Sequence, residues 1–452
     1  MKRWMMTIFA LVAFTGGELS VVCQQQLTDA LTLDQAIKIA LENNRSVKNA
    51  KLEADKAGDK IGALRTRRLP SFKINSLISQ PLSTFETNFA KGVFGTYAGI
   101  GPVPAEDTVI TSSTNTTGLI IAQISQPITQ LRRIGLQIKQ QQIGLEISKA
   151  GVTATEQSVV NNVKRAFYAI LQTQGQTQAA EESVKLHREL DRVTAEYVIQ
   201  QVALRTDQMD VQTRLAKAEF QVLTLSNQLR SQKEQLNLLL GRDVNTDFSV
   251  SDGFETAQVT MRETDLVEAR QRALAQRPEI REARLRMRQA DLDRRAKKSE
   301  FIPDVSVTAN YISTFNYSNF IPRSISGIGV QVEWEVFDWG RKKREVSEKA
   351  RTVSQAENSL RETESQVLLE VNDRFRRLQE TCQLIRIASL AQTQARANVQ
   401  MASYKYRLEA VLLKDVLQAQ TSLADADYEY QKALLSFWTA KADFEKAIGE
   451  DK

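Results

Sequence analysis

Residues 341–385, RKKREVSEKARTVSQAENSLRETESQVLLEVNDRFRRLQETCQLI, open a stretch that runs to Ile448 without a glycine or proline. These are the two residues that most disfavour a helix interior. Apolar residues return at every seventh position: Val346, Val353, Leu360 and Val367, then Val371, Leu378, Ile385 and, past polar Gln392, Val399. Seven residues make two turns of a slightly under-wound helix, the spacing of helices that supercoil on their neighbours. At 1.5 Å per residue, one helix from Trp339 to Tyr406 reaches roughly 100 Å. The chain is predicted to span a distance.

The same pattern occurs earlier, shifted by about 208 positions. Ile138, Leu145, Val152 and Val159, then Val163 and Ile170, repeat the heptad. Arg133 falls opposite Arg341, Asp207 opposite Asp415, Leu215 opposite Leu423 and Gly241 opposite Gly449. With a larger offset, Ala36, Ala40 and Leu41 match Ala269, Ala273 and Leu274, and Leu69-Pro70 matches Ile302-Pro303. Extra length between Gln80 and Gly118 absorbs the change. Matched heptads, ends and a matched proline identify a tandem duplication of one long unit. The expected division is a signal peptide at 1–23, a first repeat at 24–241, a connector at 242–260 and a second repeat at 261–449.

Charged residues make up 25% of the chain and aromatics 7%, a balance typical of long packed helices. The net charge of +6 is spread over mixed-sign segments such as Arg281–Lys298, which read as solvated faces. No basic cluster is interleaved with aromatics as a nucleic-acid surface requires, so no nucleic-acid partner is expected. There is no nucleophile motif, phosphate-binding glycine loop or paired-cysteine metal site. An enzyme is not expected, and neither is a cofactor. The only histidine, His187, sits mid-helix among charged residues and reads as a solvated coil position, since neither cysteine is placed to join it on a metal.

Met1-Lys2-Arg3 followed by the apolar run Trp4–Phe14 reads as a secretory signal peptide, too short for a transmembrane helix. Cys23 follows it and is a candidate lipid anchor, although Val22 stands where bacterial lipoproteins place a small residue. Plain cleavage nearby is the favoured reading. Cys382, in the long helix, is the only other cysteine, so no disulfide framework is expected.

Thr32-Leu33-Asp34 opens a helix to about Asn44, and a second helix, Val47–Arg68, ends at Pro70. The period then becomes two: Phe72, Ile74, Ser76 and Ile78 face one way, Lys73, Asn75 and Ser79 the other. The segment Gln80–Thr117 reads as a long exposed loop, and Ile120, Ala122 and Ile124 mark a second strand stopped at Pro127. A long helix Leu131–Gln200 and a return helix Asp207–Leu240 follow, with Gly241 as C-terminal cap. The second copy gives helices Asp265–Arg277 and Glu279–Phe301. Its first strand sets Val305, Val307, Ala309, Tyr311 and Phe315 against Asp304, Ser306, Thr308 and Asn310. Its second sets Ile328, Val330, Val332, Trp334 and Val336 against Gln331, Glu333 and Glu335.

Strands of about ten residues with one apolar and one polar face suit a water-filled membrane barrel. Tyr311, Phe315, Trp334, Phe337 and Trp339 fall toward strand ends, as aromatics do at membrane interfaces. A half-buried soluble sheet shows the same alternation. Four strands, however, cannot close a barrel, and lipid does not tolerate an open edge. A membrane reading therefore requires several copies of the chain.

The order helix, helix, strand, strand, long helix, return helix, given twice behind a signal peptide, resembles the TolC-like outer membrane factors. Residues 31–36, LTLDQA, with 40–44, ALENN, resemble the family's opening segment. Tyr406 followed by residues 415–420, DVLQAQ, resembles its second helix turn. The match runs from about Leu31 to Gly449. It implies a mainly α fold with a small β contribution. Twelve strands of a homotrimer would form one outer-membrane barrel, and the helices a long periplasmic α-helical barrel. It also implies a Gram-negative outer-membrane location in contact with lipid. The implied partners are a periplasmic adaptor (membrane fusion) protein and an inner-membrane transporter.

By the same resemblance the periplasmic tip lies at the two helix turns. Tyr406, Thr206 and Asp207 match positions that link coils there, and Asp415 matches a member of an acidic ring. Asp210 is a further candidate for gating and selectivity. Three-fold carboxylates in a narrow throat favour cations. Asp207, Asp210 and Asp415 equally suit the positive ends of the return helices. Val202, Ala203, Leu204 and Arg205, with Ala410, Val411 and Leu412, are the expected adaptor-facing turns. Gln418 stands where some relatives carry a second aspartate, Val411 where some carry a linking arginine, and Glu409 and Gln201 replace the usual glycines. The functions this leaves open are an efflux duct for drugs or small toxic solutes, an exit duct for type I protein secretion, and a non-transporting periplasmic coiled-coil scaffold.

Overall fold

A computed structural model describes residues 30–84, 86–111, 115–201, 204–250, 263–316, 322–408, 410–411 and 413–450. The expected signal peptide, Cys23, Val202, Ala203 and Leu412 lie outside them, as does part of the connector.

Helix α1 (Leu33–Asn43) starts at a capping box, in which the Thr32 hydroxyl accepts from the Gln35 N–H while the Gln35 side chain accepts from the Thr32 N–H. Such a box satisfies two amide donors that a helix start leaves over. Asn44 then does two jobs. Its Oδ1 accepts from the Ser46 N–H at 2.8 Å to begin α2 (Arg45–Thr66), and its Nδ2 donates to the Leu239 carbonyl at 2.8 Å. The strands β1 (Ser71–Ser79) and β6 (Thr117–Pro127) enclose an excursion that is not a plain loop. It holds two short antiparallel pairs, β2 (Glu86–Phe89) with β5 (Thr108–Thr111) and β3 (Thr96–Tyr97) with β4 (Gly101–Pro102). Strands this short carry no readable alternation, which is why the segment reads as loop in sequence.

Helix α3 (Gln130–Ile199) runs 70 residues and α7 (Arg341–Arg407) runs 67. Between them lie α4 (Arg205–Leu240), α5 (Glu263–Gln276), α6 (Pro278–Lys298), a short 3-10 turn, β7 (Asp304–Phe315) and β8 (Ser324–Glu333). Helix α8 (Leu413–Ile448) closes the chain. Near the sheet the helices lie side by side in the order α2, α3, α6, α7, and at the far end in the order α4, α3, α8, α7. The two long helices are thus common rods onto which the shorter ones are spliced. The heptad residues form the seams: Val163, Ile170, Val371 and Leu378 are fully buried, and Ile138, Val159 and Val367 nearly so.

At the waist, α1 packs on α3 and α4, and α5 packs on α7 and α8. Alanines make the close approach possible: Ala36, Ala40 and Ala273 have no exposed surface. Gly241 ends α4 at φ 69° with its Cα hydrogen against α1, where a Cβ would lie 2.6 Å from the Asn43 carbonyl oxygen. In the second copy, Gly449 ends α8 against Gln276 in the same way.

One antiparallel sheet joins the copies in the order β1-β6-β7-β8. β8 begins earlier than its apolar alternation suggests and stops at Glu333, so Trp334 and Val336 lie beyond it. The register places Ile74, Ala122, Ile124, Ala309 and Ile328 on one face. Ile74 and Ile328 on that face are 75% and 85% exposed. Among the described residues the two outer strands, β1 and β8, have no further partner in the sheet.

Candidate functional site

A sheet that buries one face in its own core hides its apolar side. Here the apolar side is left open, with Phe72, Ile78, Val330 and Val332 all exposed. The opposite face carries Lys73, Asn75, Gln123, Thr308, Asn310 and Gln331. Apolar outside and polar inside is the polarity of a barrel wall in lipid. Tyr311 sits within β7 opposite Ala122 and Ser326, and Phe315 closes its far end opposite Gly118. Trp334, Phe337 and Trp339 follow β8 and are all exposed, the last two as an edge-to-face pair at 4.9 Å.

Between strand and helix the chain turns on Asp338. Its carboxylate accepts from the Gly340 N–H at 3.0 Å and the Lys342 N–H at 2.9 Å, and these bonds hold its pKa below the usual range. The turn throws Trp339 to φ 49°, a left-handed conformation rare for a bulky residue. Polar-face charges at the sheet's lower rim are tied to the helices: Arg133 to Asp304 at 2.9 Å, and Lys342 to Glu335 at 3.4 Å. Sequence reasoning missed Asp338. Its signal is an aspartate followed two residues later by glycine, ahead of a long helix.

At the opposite end of the rods lie the two turns. After α3, Gln201 adopts φ 58°, and the first turn of α4 is held by Asp207, whose Oδ2 accepts from the Leu204 N–H at 3.2 Å. Thr206 and Arg205 are exposed beside it. Asp210 is committed to Arg214 four residues on, at 2.9 Å. After α7, the Ala410 N–H returns to the Lys405 carbonyl at 2.9 Å, and Asp415 is exposed in the first turn of α8. Tyr406 lies in the last turn of α7; its side chain is outside the described residues. Ala410 is exposed and Val411 half-buried. Apolar side chains crowd both turns in the open: Ile199 is 81% exposed and Leu204 69%, with Met209, Met401, Tyr404 and Leu408 above half. These break the heptad spacing, which is the sequence signal that they serve something outside the chain's own seam.

His187 is half-buried rather than solvated. Burial first, and the nearby Arg214 charge second, push its pKa below the ordinary value. Cys382 is half-buried in α7 beside Leu378 and Phe437, and burial raises its pKa. Among the described residues no group of three acidic, histidine or cysteine side chains is placed to hold a metal, and no helix is long and apolar enough to cross a membrane.

A sheet polar on one face and apolar on the other, carried on rods of this length, defines a membrane channel component. Residues 36–242 and 269–450 match the outer membrane efflux protein family, and the chain belongs to it. It is an outer-membrane channel that extends into the periplasm, and not an enzyme. No curated protein sequence matches the chain significantly. Among solved structures it resembles the Campylobacter jejuni CmeC outer membrane channel, with a TM-score of 0.73 at 16% identity, over 92% of this chain and 85% of that one. It is similar to CusC, with a TM-score of 0.72 at 16% identity over 93% and 92% of the two chains. The open-state MtrE outer membrane channel of Neisseria gonorrhoeae gives 0.68 at 17% identity, over 92% and 88%. At such identities the likeness is one of fold.

Proposed function

We propose that the chain is the outer-membrane exit duct of a tripartite efflux system, passing drugs or other small toxic solutes out of the periplasm. Three copies close a barrel of twelve strands by pairing the free edge of β8 with β1 of the next chain. Their rods form a tunnel. A periplasmic adaptor protein docks at the tip, and an inner-membrane transporter supplies the energy that a passive duct lacks. The duplicated units are 24–241 and 261–449, joined by 242–260 and preceded by a signal peptide at 1–23.

The observation that carries this reading is the four-stranded sheet with a bare apolar face and two unpaired edges. Lipid does not tolerate those edges, so they need a second chain. A coiled-coil scaffold has no use for such a sheet. At the tip, Asp207, Thr206 and Tyr406 link neighbouring coils, while Asp415 lines the throat and Asp210 tunes it. Residues Val202 to Arg205 and Ala410 to Leu412 meet the adaptor through the exposed apolar side chains around them.

Single-channel recording in a planar bilayer tests this. Purified protein should give small, long-lived, cation-preferring steps. Asp207→Ala and Tyr406→Phe should enlarge them, and Asp415→Asn should move the reversal potential toward zero. Silence from both the parent and the two tip variants would overturn the duct, and an unmoved reversal potential would remove Asp415 from the throat. Gene deletion that stops secretion of a polypeptide but leaves drug tolerance intact would reassign the cargo.

A further inference from the structure

Where α2 ends and α3 begins, just below the strand ends Ser71 and Pro127, lies a groove of about 500 Å³. Its charged lining is Arg65, Arg68, Arg132 and Lys139, with no carboxylate. Gly135 leaves room for one of these cations: a Cβ there would lie 3.3 Å from the Arg68 guanidinium. Among the described residues none of the four forms an ion pair, although neighbours on the same helices do, as Lys51 with Glu156, Arg133 with Asp304 and Lys149 with Glu146. Four like charges gathered in one groove repel each other and call for a counter-charge from outside.

The two copies differ in the acids they place at this junction. In the second copy the equivalent junction carries acids among its cations: Lys297 is held by Glu300 at 2.8 Å and by Glu345 at 2.9 Å. With the offsets of the duplication, the first-copy counterparts of those two glutamates are Arg67 and Gln137. The first copy thus has the fold of the junction without these two acids.

Leu131, which lines the groove, is 36% exposed, and Leu69 and Ile128, on the links from the helices to the strands, are 62% and 46% exposed. In β1, which follows Leu69 in the chain, Phe72 and Ile74 are exposed on the apolar face. Cations beneath an apolar step, at the depth where strands leave the bilayer, match a headgroup phosphate beneath its acyl chains. We propose that this groove is a binding site for an anionic glycerophospholipid of the periplasmic leaflet, its phosphate held by Arg65, Arg68, Arg132 and Lys139. The site rests on the outer-membrane location of the chain and is independent of the cargo it carries.

The test counts lipids on delipidated protein in neutral detergent by native mass spectrometry, adding phosphatidylglycerol, phosphatidylethanolamine or inorganic phosphate. One basic residue near an anionic lipid is worth about fivefold in affinity. The parent should therefore prefer phosphatidylglycerol to phosphatidylethanolamine by at least about tenfold. Replacing all four by glutamine should abolish the preference, and Arg→Lys at the three arginines should keep most of it. Removing four charges elsewhere, as Lys185→Gln, Arg188→Gln, Arg361→Gln and Arg376→Gln, should leave it intact. Equal loss in this control would overturn the site. So would binding of inorganic phosphate in place of lipid, which would mark a soluble-anion site. Dissociation of the oligomer by the groove substitutions, with lipid counts unchanged, would overturn it too, by showing that a neighbouring copy supplies the missing acids.

Discussion

One residue at the waist does more than its sequence context suggests. Arg277, only 6% exposed, joins three elements. Its guanidinium bonds Glu279 at the start of α6, Glu370 of α7 at 2.9 Å, and the Lys446 and Ala447 carbonyls at the end of α8. In the first copy the same position holds Asn44, which reaches the Leu239 carbonyl of α4. The lock is the same and the chemistry differs. Removing one partner of a buried ion pair costs about 3–5 kcal/mol; Arg277→Ala should fall near the lower end, because the two carboxylates are 40% and 35% exposed. Hydrogen exchange across 441–450 should accelerate accordingly, while Arg277→Lys should recover part of the protection. His187 offers a second residue-scale test. Its folded pKa lies below the unfolded one, so the unfolded chain takes up its proton first. Stability should therefore be full above the unfolded value of about 6.5 and fall as pH drops through it toward the folded pKa. Local exchange of α3 around His187 between pH 7 and 5 should show this fall, and His187→Gln should flatten it.

At the scale of elements, the sheet makes a sharp prediction because its faces differ so much. Ile328, on the bare apolar face, and Gln331, on the polar one, lie three residues apart in β8. A lysine on the lipid side of a barrel costs about 2–4 kcal/mol near the bilayer midplane, whereas lumen positions tolerate it. Ile328→Lys should lower the yield of membrane-inserted protein and Gln331→Lys should leave it close to normal, as read by extraction of outer membranes. Helices and long strands were legible in the chain because each has a period that survives over many residues. The heptad from Val346 to Val399 marks the buried seam, and the alternation from Val305 to Phe315 marks β7. The short hairpins between β1 and β6 were not, since two to four residues cannot display a period. The start of β8 at Ser324 was equally hidden, because Ile325 falls on the opposite face to Ile328 and breaks the apolar alternation among the serines and glycines there. Of the site, the turns were legible through the duplication. The Arg277 lock was not, because its partners stand 93 and 170 residues away in sequence.

Taken whole, the molecule is two rods, a sheet at one end, turns at the other and a clamp between. α7 is continuous from its clamped region at Val371, fully buried, to Arg407 in its last turn. That arm is roughly 50 Å long at 1.5 Å per residue. Pivoted at the waist, such an arm would act as a lever: a tilt of one degree there would displace the tip by about 1 Å. Side chains at the fulcrum need shift by only a fraction of an ångström while the far end sweeps several. A gate worked this way keeps its core packing while its aperture changes, and the mechanical advantage belongs to whatever grips the tip.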